Sequence, residues 1–458
     1  DRRLPEAPAA AVKAFLVTRV GDVGFLLGVV VAGVHVGSFR LAAVLAPGAL
    51  DGRTTTLVCL LLLAGVAGKS AQFPLHTWLP DAMAGPTPIS ALIHAATMVA
   101  AGIYVVTRLY PLFVASTVAL AVLAVMAAVT MVLGACAATV QDDIKRVLAW
   151  STVSQLAYMT GALAIGAPAA ALFHLLTHAA FKALLFLGAG SVIHAVGTNL
   201  MSGMGGLRRG MPATFWSMTI GLGALIGLPP LSGFWSKDEI LHAASGGSGW
   251  PATLVYVAGL VTVFLTAGYA VRLWLRTFFG TPRSAPAQHP HEPPVAMAAP
   301  VLVLAVPSAL LGFAGLSTAF AVALGAEEGF RLAADLAIPL GVAVAGLLLV
   351  WWVWRSRPEA DPARLVGPLR PLFANAFYVD AIQNALVVRP VQALARGVRR
   401  ADESGVDGLV EATGRGVFGL GGGVAALHRA GLPRAVGAVL GGATLLGVAV
   451  AAIVGVWP

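Results

Sequence analysis

The chain has 458 residues, of which 58% are hydrophobic and only 11% charged, and it carries a net charge of +9. A water-soluble domain holds about 25% charged residues, so most of this chain cannot face water and a soluble globular enzyme is excluded. The basic residues are sparse and sit in loops, which suits orientation in a bilayer and argues against a nucleic-acid surface.

Apolar runs recur at roughly 13–35, 54–79, 89–108, 112–140, 147–165, 167–196, 213–240, 251–279, 296–324, 333–354 and 434–457, about eleven spans by the length criterion. An all-α, polytopic membrane protein follows. Cys59 and Cys136 both lie within apolar segments, so no disulfide framework or metal cluster follows from them. The sequence starts at Asp1 without a methionine or a basic-apolar leader, and the N-terminal part of the natural protein is expected upstream. Counting loops alternately collects Lys13, Lys145, Arg146, Arg208, Arg276, Arg283, Arg355 and Arg364 on one side, which the positive-inside bias places in the cytoplasm.

The first run carries Asp22 within RVGD, either a counter-charge for a buried base or a partner of Arg19. The second, AGVAGKSAQFPLHTWLPDAM, places Lys69 about 12 residues into its segment, near 18 Å at 1.5 Å per residue. A lysine at a helix centre costs about 2.5–3.5 kcal/mol. Snorkelling to an interface is hard from that depth. A lysine facing other helices, with a carboxylate and water in reach, keeps its proton while the acid is close and can release it when the acid withdraws. That is the physics of a proton relay. Gly65, Gly68, Pro74 and Pro80 flank Lys69 and predict a broken helix, a device found where membrane helices line wet cavities.

His94, in SALIHAATM, either continues a wet path or is a hydrogen-bonded core group. In QDDIKRVLAWSTVSQLAYM, Lys145 is either the mouth of that path or a solvated loop charge. FHLLTHAAFKALLFLGAGSVIH spaces His174, His178 and Lys182 at i, i+4 and i+8, on one helix face. The HxxxH pair lacks the glutamate of a metalloprotease motif and a third ligand, so a polar ladder is the better reading, histidine being suited to proton hand-off near neutral pH. IGLPPLSGFWSKDEIL repeats the Pro- and Gly-interrupted pattern around Lys237, followed by Asp238 and Glu239. The loop TPRSAPAQHPHEPP, at 281–294, reads as flexible and solvated, since its two histidines show no metal-ligand spacing. From 376 to 417, charges at Arg389, Arg396, Arg400, Glu403, Asp407, Glu411 and Arg415 form one polar stripe on a helix lying along a membrane or partner surface, or packed on its own protein. No glycine-rich nucleotide loop, cysteine cluster or haem motif is present, so the chain has no visible means of moving electrons.

The stretches GKSAQFPLHTWLPDAMAGPTPISALIHAATM, QDDIKRVLAWSTVSQLAYM, HLLTHAAFKALLFLGAGSVIH and LPPLSGFWSKDEIL resemble the antiporter-like subunits of respiratory complex I, the proton-pumping NADH:quinone oxidoreductase, over about 10–280. The tail, from YVD through VRP to the last span, resembles the largest, distal member of that group. The resemblance implies antiporter-like inverted repeats with two broken helices, a long lateral amphipathic helix and a final transmembrane anchor. It divides the chain into 1–88 (the remainder of the first bundle), 89–280 (the rest of the core with the second bundle), 281–375 (further spans), 376–430 (the lateral helix) and 431–458 (the anchor). It puts the family's central lysine on Lys69, the midplane polar chain on His94, His174, His178 and Lys182, and the second break on Lys237 and Asp238, with Asp22 and Lys145 at matching acidic and basic positions. It pairs the Lys69 position with a glutamate that no early span here supplies, expected upstream of Asp1. NADH, FMN, iron–sulfur clusters and quinone would be bound by other subunits, with none in this chain. Its partners would be the adjacent antiporter-like subunit, small subunits along the lateral helix and membrane lipid, in a bacterial inner membrane with the lateral helix on the cytoplasmic side. The rivals are the large subunit of a multisubunit sodium/proton antiporter, a membrane hydrogenase subunit, and a scaffold whose buried charges only fix helix register.

Overall fold

The computed structural model of the chain describes residues 5–95, 97–326, 329, 336–429 and 431–455. Parts of the expected spans at 333–354 and 434–457 lie outside the described residues. Among those described there is no strand, only an isolated bridge between Asp143 and Leu200, and nine helices are long and apolar enough to cross a membrane. The chain divides into two units, Asp1–Asp380 and Ala381–Pro458.

In the first unit, α1 (Ala7–Val36) packs on α2 (Gly52–Lys69). The second run does not continue as helix to 79: α2 stops at Lys69, and after a non-helical stretch comes the short α3 (Trp78–Asp81). The third is split into α4 (Thr87–Ala95) and α5 (Ala101–Arg108). Then follow α6 (Thr117–Val140), α7 (Ile144–Ala164) and α8 (Pro168–Val196). The expected segment at 213–240 is two half-length helices, α9 (Pro212–Ile226) and α10 (Ser232–Gly246), and α11 (Gly249–Phe278), α12 (Val295–Leu310) and α13 (Ala337–Ser356) complete the unit.

Helix α7 is a span expected from the sequence that is too polar to count among these nine. It is as long as its neighbours, but it carries Ser151, Thr152, Ser154 and Gln155, each with no exposure. Packed against α6, α8 and α11, it never meets lipid, so it can be polar where a lipid-facing helix cannot.

Contacts between distant loops bring some of the basic residues together with acids. Lys13 Nζ is 2.6 Å from Asp81 Oδ2 and 2.6 Å from Asp380 Oδ2, and Arg146 Nη2 donates to Asp81 Oδ1 at 3.0 Å. Arg272 grips Asp361 with two hydrogen bonds, of 2.6 and 2.7 Å, and donates to Gln141 O. The loop 281–294 is not the free segment its composition suggests. Glu292 accepts from the N–H groups of Ala213 and Thr214, satisfying donors left open at the start of α9.

The second unit is helical from Arg389–Ala401 (α14) through Asp407–Arg429 (α15), then Leu432–Val454 (α16). A π-turn at Asn384–Val388 precedes α14 and another at Asp402–Val406 joins α14 to α15. The charges there recur mostly at steps of four, which drift by about 40° per turn on an ideal helix; a wider π-turn takes up the extra residue. No described residue of this unit is buried.

Burial pushes the Asp361 carboxyl up, but the hydrogen bonds and charge of Arg272, with the Ala363 N–H, outweigh it and pull it down to about 2. A folded-state value below the unfolded 3.8 adds stability above about pH 3.8 that is lost as pH falls through about 2. Melting curves of the detergent-solubilised assembly should therefore favour wild type over Asp361→Asn by about 2 kcal/mol near neutral pH, with the gap closing towards pH 2. An equal gap at both pH values would show that the carboxylate charge is not what Arg272 holds.

Candidate functional site

Lys69 is the last residue of α2, and its ammonium donates to Asp22 Oδ2 at 3.0 Å. Arg19 Nη1 lies 3.5 Å from the same oxygen, so Asp22 contacts both Arg19 and Lys69, whose side chain is 31% exposed rather than buried. Glycines make the short aspartate long enough. A Cβ on Gly21 would fall 2.6 Å from Ala64 O, and a Cβ on Gly68 3.3 Å from the Gly21 Cα. The backbones of α1 and α2 therefore touch, and the Asp22 carboxylate reaches Lys69. Within this chain the carboxylate bonded to Lys69 is Asp22.

The break after Lys69 leaves helix-end carbonyls that must be satisfied. Ser70 N–H bonds Val66 O, Gln72 N–H bonds Ala67 O, and the Trp78 indole N–H reaches back to Gly68 O at 2.9 Å. Ala71 sits at φ 49°, a left-handed conformation that costs a non-glycine residue on the order of 1–3 kcal/mol. Phe73 N–H is held by Thr130 Oγ1.

The second break is built the other way round. Lys237, one turn into α10, donates to Leu225 O at 2.8 Å and Ile226 O at 3.4 Å, the last carbonyls of α9. These are the orphan acceptors at the negative end of a helix dipole, a natural seat for a cation. The Lys237 ammonium also lies 5.3 Å from the centre of the Tyr158 ring, and Tyr158 OH donates to Gly259 O. Asp238 is buried beside Lys237.

Between the breaks, His174, His178 and Lys182 stand fully buried along one face of α8. His174 Nδ1 is 2.9 Å from Ser236 Oγ and Nε2 3.3 Å from Gln155 Oε1. Ser236 Oγ is also 2.6 Å from Thr177 Oγ1. The His174 and His178 rings are 6.2 Å apart. Lys182 donates to Leu148 O at 3.2 Å and to Ser151 Oγ. One turn further along α8, Phe186 stacks on the buried His94 ring at 4.6 Å. Neither ring nitrogen of His94 or His178 has a hydrogen-bond partner among the described residues. Buried polar atoms of this kind are met by water where the protein offers no partner.

Lys145 is not a loop charge. It lies in the first turn of α7, nearly buried, and donates to Met83 O at 2.6 Å and Gly85 O at 3.2 Å. It borders a cavity of about 560 Å³ lined also by Glu6, Lys13, Asp81, Asp143, Arg146 and Asn199. Asp143 caps α7 by accepting from Lys145 N–H and Arg146 N–H, and burial pushes its carboxyl up.

All nine residues singled out from the sequence are thus placed. Lys69 and Asp22 meet directly, and His174, His178, Lys182 and His94 share one buried file. Lys237 with Asp238 lies at one break, and Lys145 borders the cavity. The connecting groups Ser151, Gln155, Tyr158 and Ser236 were passed over because polar residues of their size give no periodic signal. His76 was passed over too, although it stands in an apolar segment as His94 does. No group of three histidine, cysteine or acidic side chains among the described residues could hold a metal ion.

A sequence profile of the family described as "NADH:quinone oxidoreductase/Mrp antiporter, TM" matches residues 2–266. The chain is 41% identical over 460 residues to NAD(P)H-quinone oxidoreductase chain 5 of Picosynechococcus, covering 89% of this chain and 68% of that one. It is 39% identical over 471 residues to NADH-quinone oxidoreductase subunit L of Neisseria meningitidis, covering 90% and 70%. Among solved structures it is similar to the Mrp complex from Dietzia, with a TM-score of 0.74 and 29% identity over 94% of this chain and 47% of that one. It is also similar to an archaeal membrane-bound sulfane sulfur reductase, with a TM-score of 0.61 and 28% identity over 75% of this chain and 69% of that one.

Gly233 sets the close approach that seats Lys237, since a Cβ there would fall 1.9 Å from Ala224 O. Gly233→Val should separate α10 from the end of α9 and destabilise the assembly by about 1–3 kcal/mol. Thermal melting checks this, and an unchanged melting point would show that the two half-helices need not touch.

Proposed function

The chain belongs to the transmembrane NADH:quinone oxidoreductase/Mrp antiporter family, and from that premise we propose that it carries protons as the largest, distal membrane-arm subunit of a proton-pumping NADH:quinone oxidoreductase. The observation that carries this reading is the buried file of bases, Lys182, His178 and His174, joined through Ser236 to the break that holds Lys237. A scaffold needs no such file, and each member would cost stability if it only filled space.

In this reading protons are taken up from the cytoplasmic face through the polar cavity, with Lys145 as its first base. Lys182 accepts next, its ammonium steadied by Leu148 O and Ser151 Oγ. His178 and His174 pass the proton along α8, and the Ser236 hydroxyl, able to donate and accept, links His174 towards the second break. Lys237 holds the proton against the last carbonyls of α9 and releases it on the far side, beside Asp238. His94 extends the file towards the first half. The Lys69–Asp22 pair is the element whose charge state responds to the neighbouring subunit. NADH, FMN, iron–sulfur clusters and quinone belong to other subunits, and quinone reduction there supplies the driving force. The second unit, with none of its described residues buried, offers its apolar stripe to neighbouring membrane subunits and lipid on the cytoplasmic side of a bacterial inner membrane.

The likeness to the Mrp complex favours one second reading, a cation/proton antiporter subunit that needs no redox partner. Sodium-dependent proton movement in vesicles without quinone turnover would select it.

In the complete membrane complex, Lys69→Ala should leave assembly intact and lower the number of protons moved per electron, read from acidification of proteoliposomes during quinone turnover. Full pumping by that variant would refute the relay.

A further inference from the structure

Lys145 serves the file on α8, and this leaves open how Lys69 exchanges protons with the aqueous face. We propose that His76 is a proton relay between that face and Lys69, an inlet for the first half of the molecule that branches from the same charged rim as the one at Lys145; the inference rests on the proton-carrying reading above.

His76 lies in the break itself and has no exposed surface. Its ring is held between Phe73, near parallel at 6.1 Å, and Trp150, tilted at 5.8 Å. The main chain of Pro74 lies beside the ring, and neither ring nitrogen makes a well-aligned hydrogen bond among the described residues. A side chain retained only for packing would be better served by phenylalanine, because a buried donor or acceptor without a good partner destabilises the fold. The loop that carries His76 turns back on α2, since the indole of Trp78, two residues on, bonds the carbonyl of Gly68, the residue before Lys69. On the other side, Trp150 forms one wall of a cavity of about 180 Å³, room for several waters. Thr77, Asp81, Arg146 and Asp380 line it as well. The charged groups around the ring are therefore Asp81 and Asp380 against Lys13 and Arg146, bound to one another. Balanced signs raise no net barrier to a cation at the mouth.

The transfer balances in two steps. One ring nitrogen takes a proton from a hydronium ion in the cavity, leaving water and an imidazolium. The other nitrogen then gives its proton to the neutral amine of Lys69, leaving a neutral imidazole and an ammonium. Phe73 and Trp150 confine the ring between the loop that turns back on α2 and the cavity wall, and water would complete the path on each side.

The test uses the complete complex in proteoliposomes and compares His76→Gln, His76→Phe, Lys69→Ala and the double variant His76→Gln/Lys69→Ala by protons moved per electron. Glutamine keeps hydrogen-bonding capacity but cannot carry a proton. His76→Gln is expected to lose as much pumping as Lys69→Ala, and the double variant no more than either alone, because groups acting in series are not additive. Wild-type pumping by His76→Gln, including rescue by glutamine of a loss seen with phenylalanine, would make the residue structural and overturn the proposal. Losses that sum in the double variant would also overturn it. If His76→Phe fails to assemble, His76→Gln decides alone. Full pumping by Lys69→Ala would instead sink the underlying proton-carrying reading, an outcome distinct from full pumping by His76→Gln alone.

Discussion

A cation inside a membrane protein needs the negative end of something, and here main-chain carbonyls supply much of it. Lys237 takes the carbonyls left open where α9 stops. Lys145 takes those of Met83 and Gly85, after α3, and Lys182 takes Leu148 O with the Ser151 hydroxyl. A helix break that would be an expense in lipid becomes a binding device inside protein. Carbonyls and hydroxyls also suit a group that changes charge. They accept from an ammonium, they still accept from a neutral amine, and a serine can donate back. A carboxylate would hold the proton more firmly.

That device depends on small residues elsewhere. Gly233 lets α10 lie against the carbonyl of Ala224, and without that approach Lys237 would not reach the end of α9. Gly21 and Gly68 do the same for Asp22 and Lys69. Helix α7 contributes by being shielded from lipid on every side. Its Ser151 and Gln155 are the polar atoms that the α8 ladder uses, and no lipid-facing helix of this length could carry them at comparable cost.

The spans, the two breaks and the ladder were legible because each has a strong local signal. Apolar runs announce length, Pro and Gly announce interruption, and the i, i+4, i+8 spacing of His174, His178 and Lys182 announces a shared face. What stayed hidden was tertiary. The spacing of Asp22 and Lys69 says nothing of a helix contact made by glycines. Lys145 read equally well as a loop charge, because only the fold closes Met83 and Gly85 over it. The loop at 281–294 has the composition of a free segment, yet Glu292 completes the start of α9, a contact 78 residues distant from Thr214 that no local rule foresees. His76 was hidden by its company, since a lone histidine among apolar residues has no periodicity to betray it.

The two halves differ in how their lysines are neutralised, and the difference orders their roles. Lys69, unlike Lys182 and Lys237, is bonded to a carboxylate, and that carboxylate has a second cation beside it. Arg19 is permanently charged and stands 3.5 Å from the Asp22 oxygen that Lys69 contacts at 3.0 Å. If Lys69 gives up its proton, Asp22 is not left as an unpaired anion, which inside a protein would be the larger penalty. The attraction lost is a few kcal/mol at the effective dielectric of a half-buried pair, by Coulomb's law. A shift of that size is within reach of one neighbouring charge and is enough to move a two-state equilibrium from one side to the other. In the proposed relay the first break would serve as the switch, because Asp22 has two cations beside it and sits on α1, the element whose movement would decide which of them it holds. The file on α8 has no such exchange partner, and its neutral neighbours fit it for conduction.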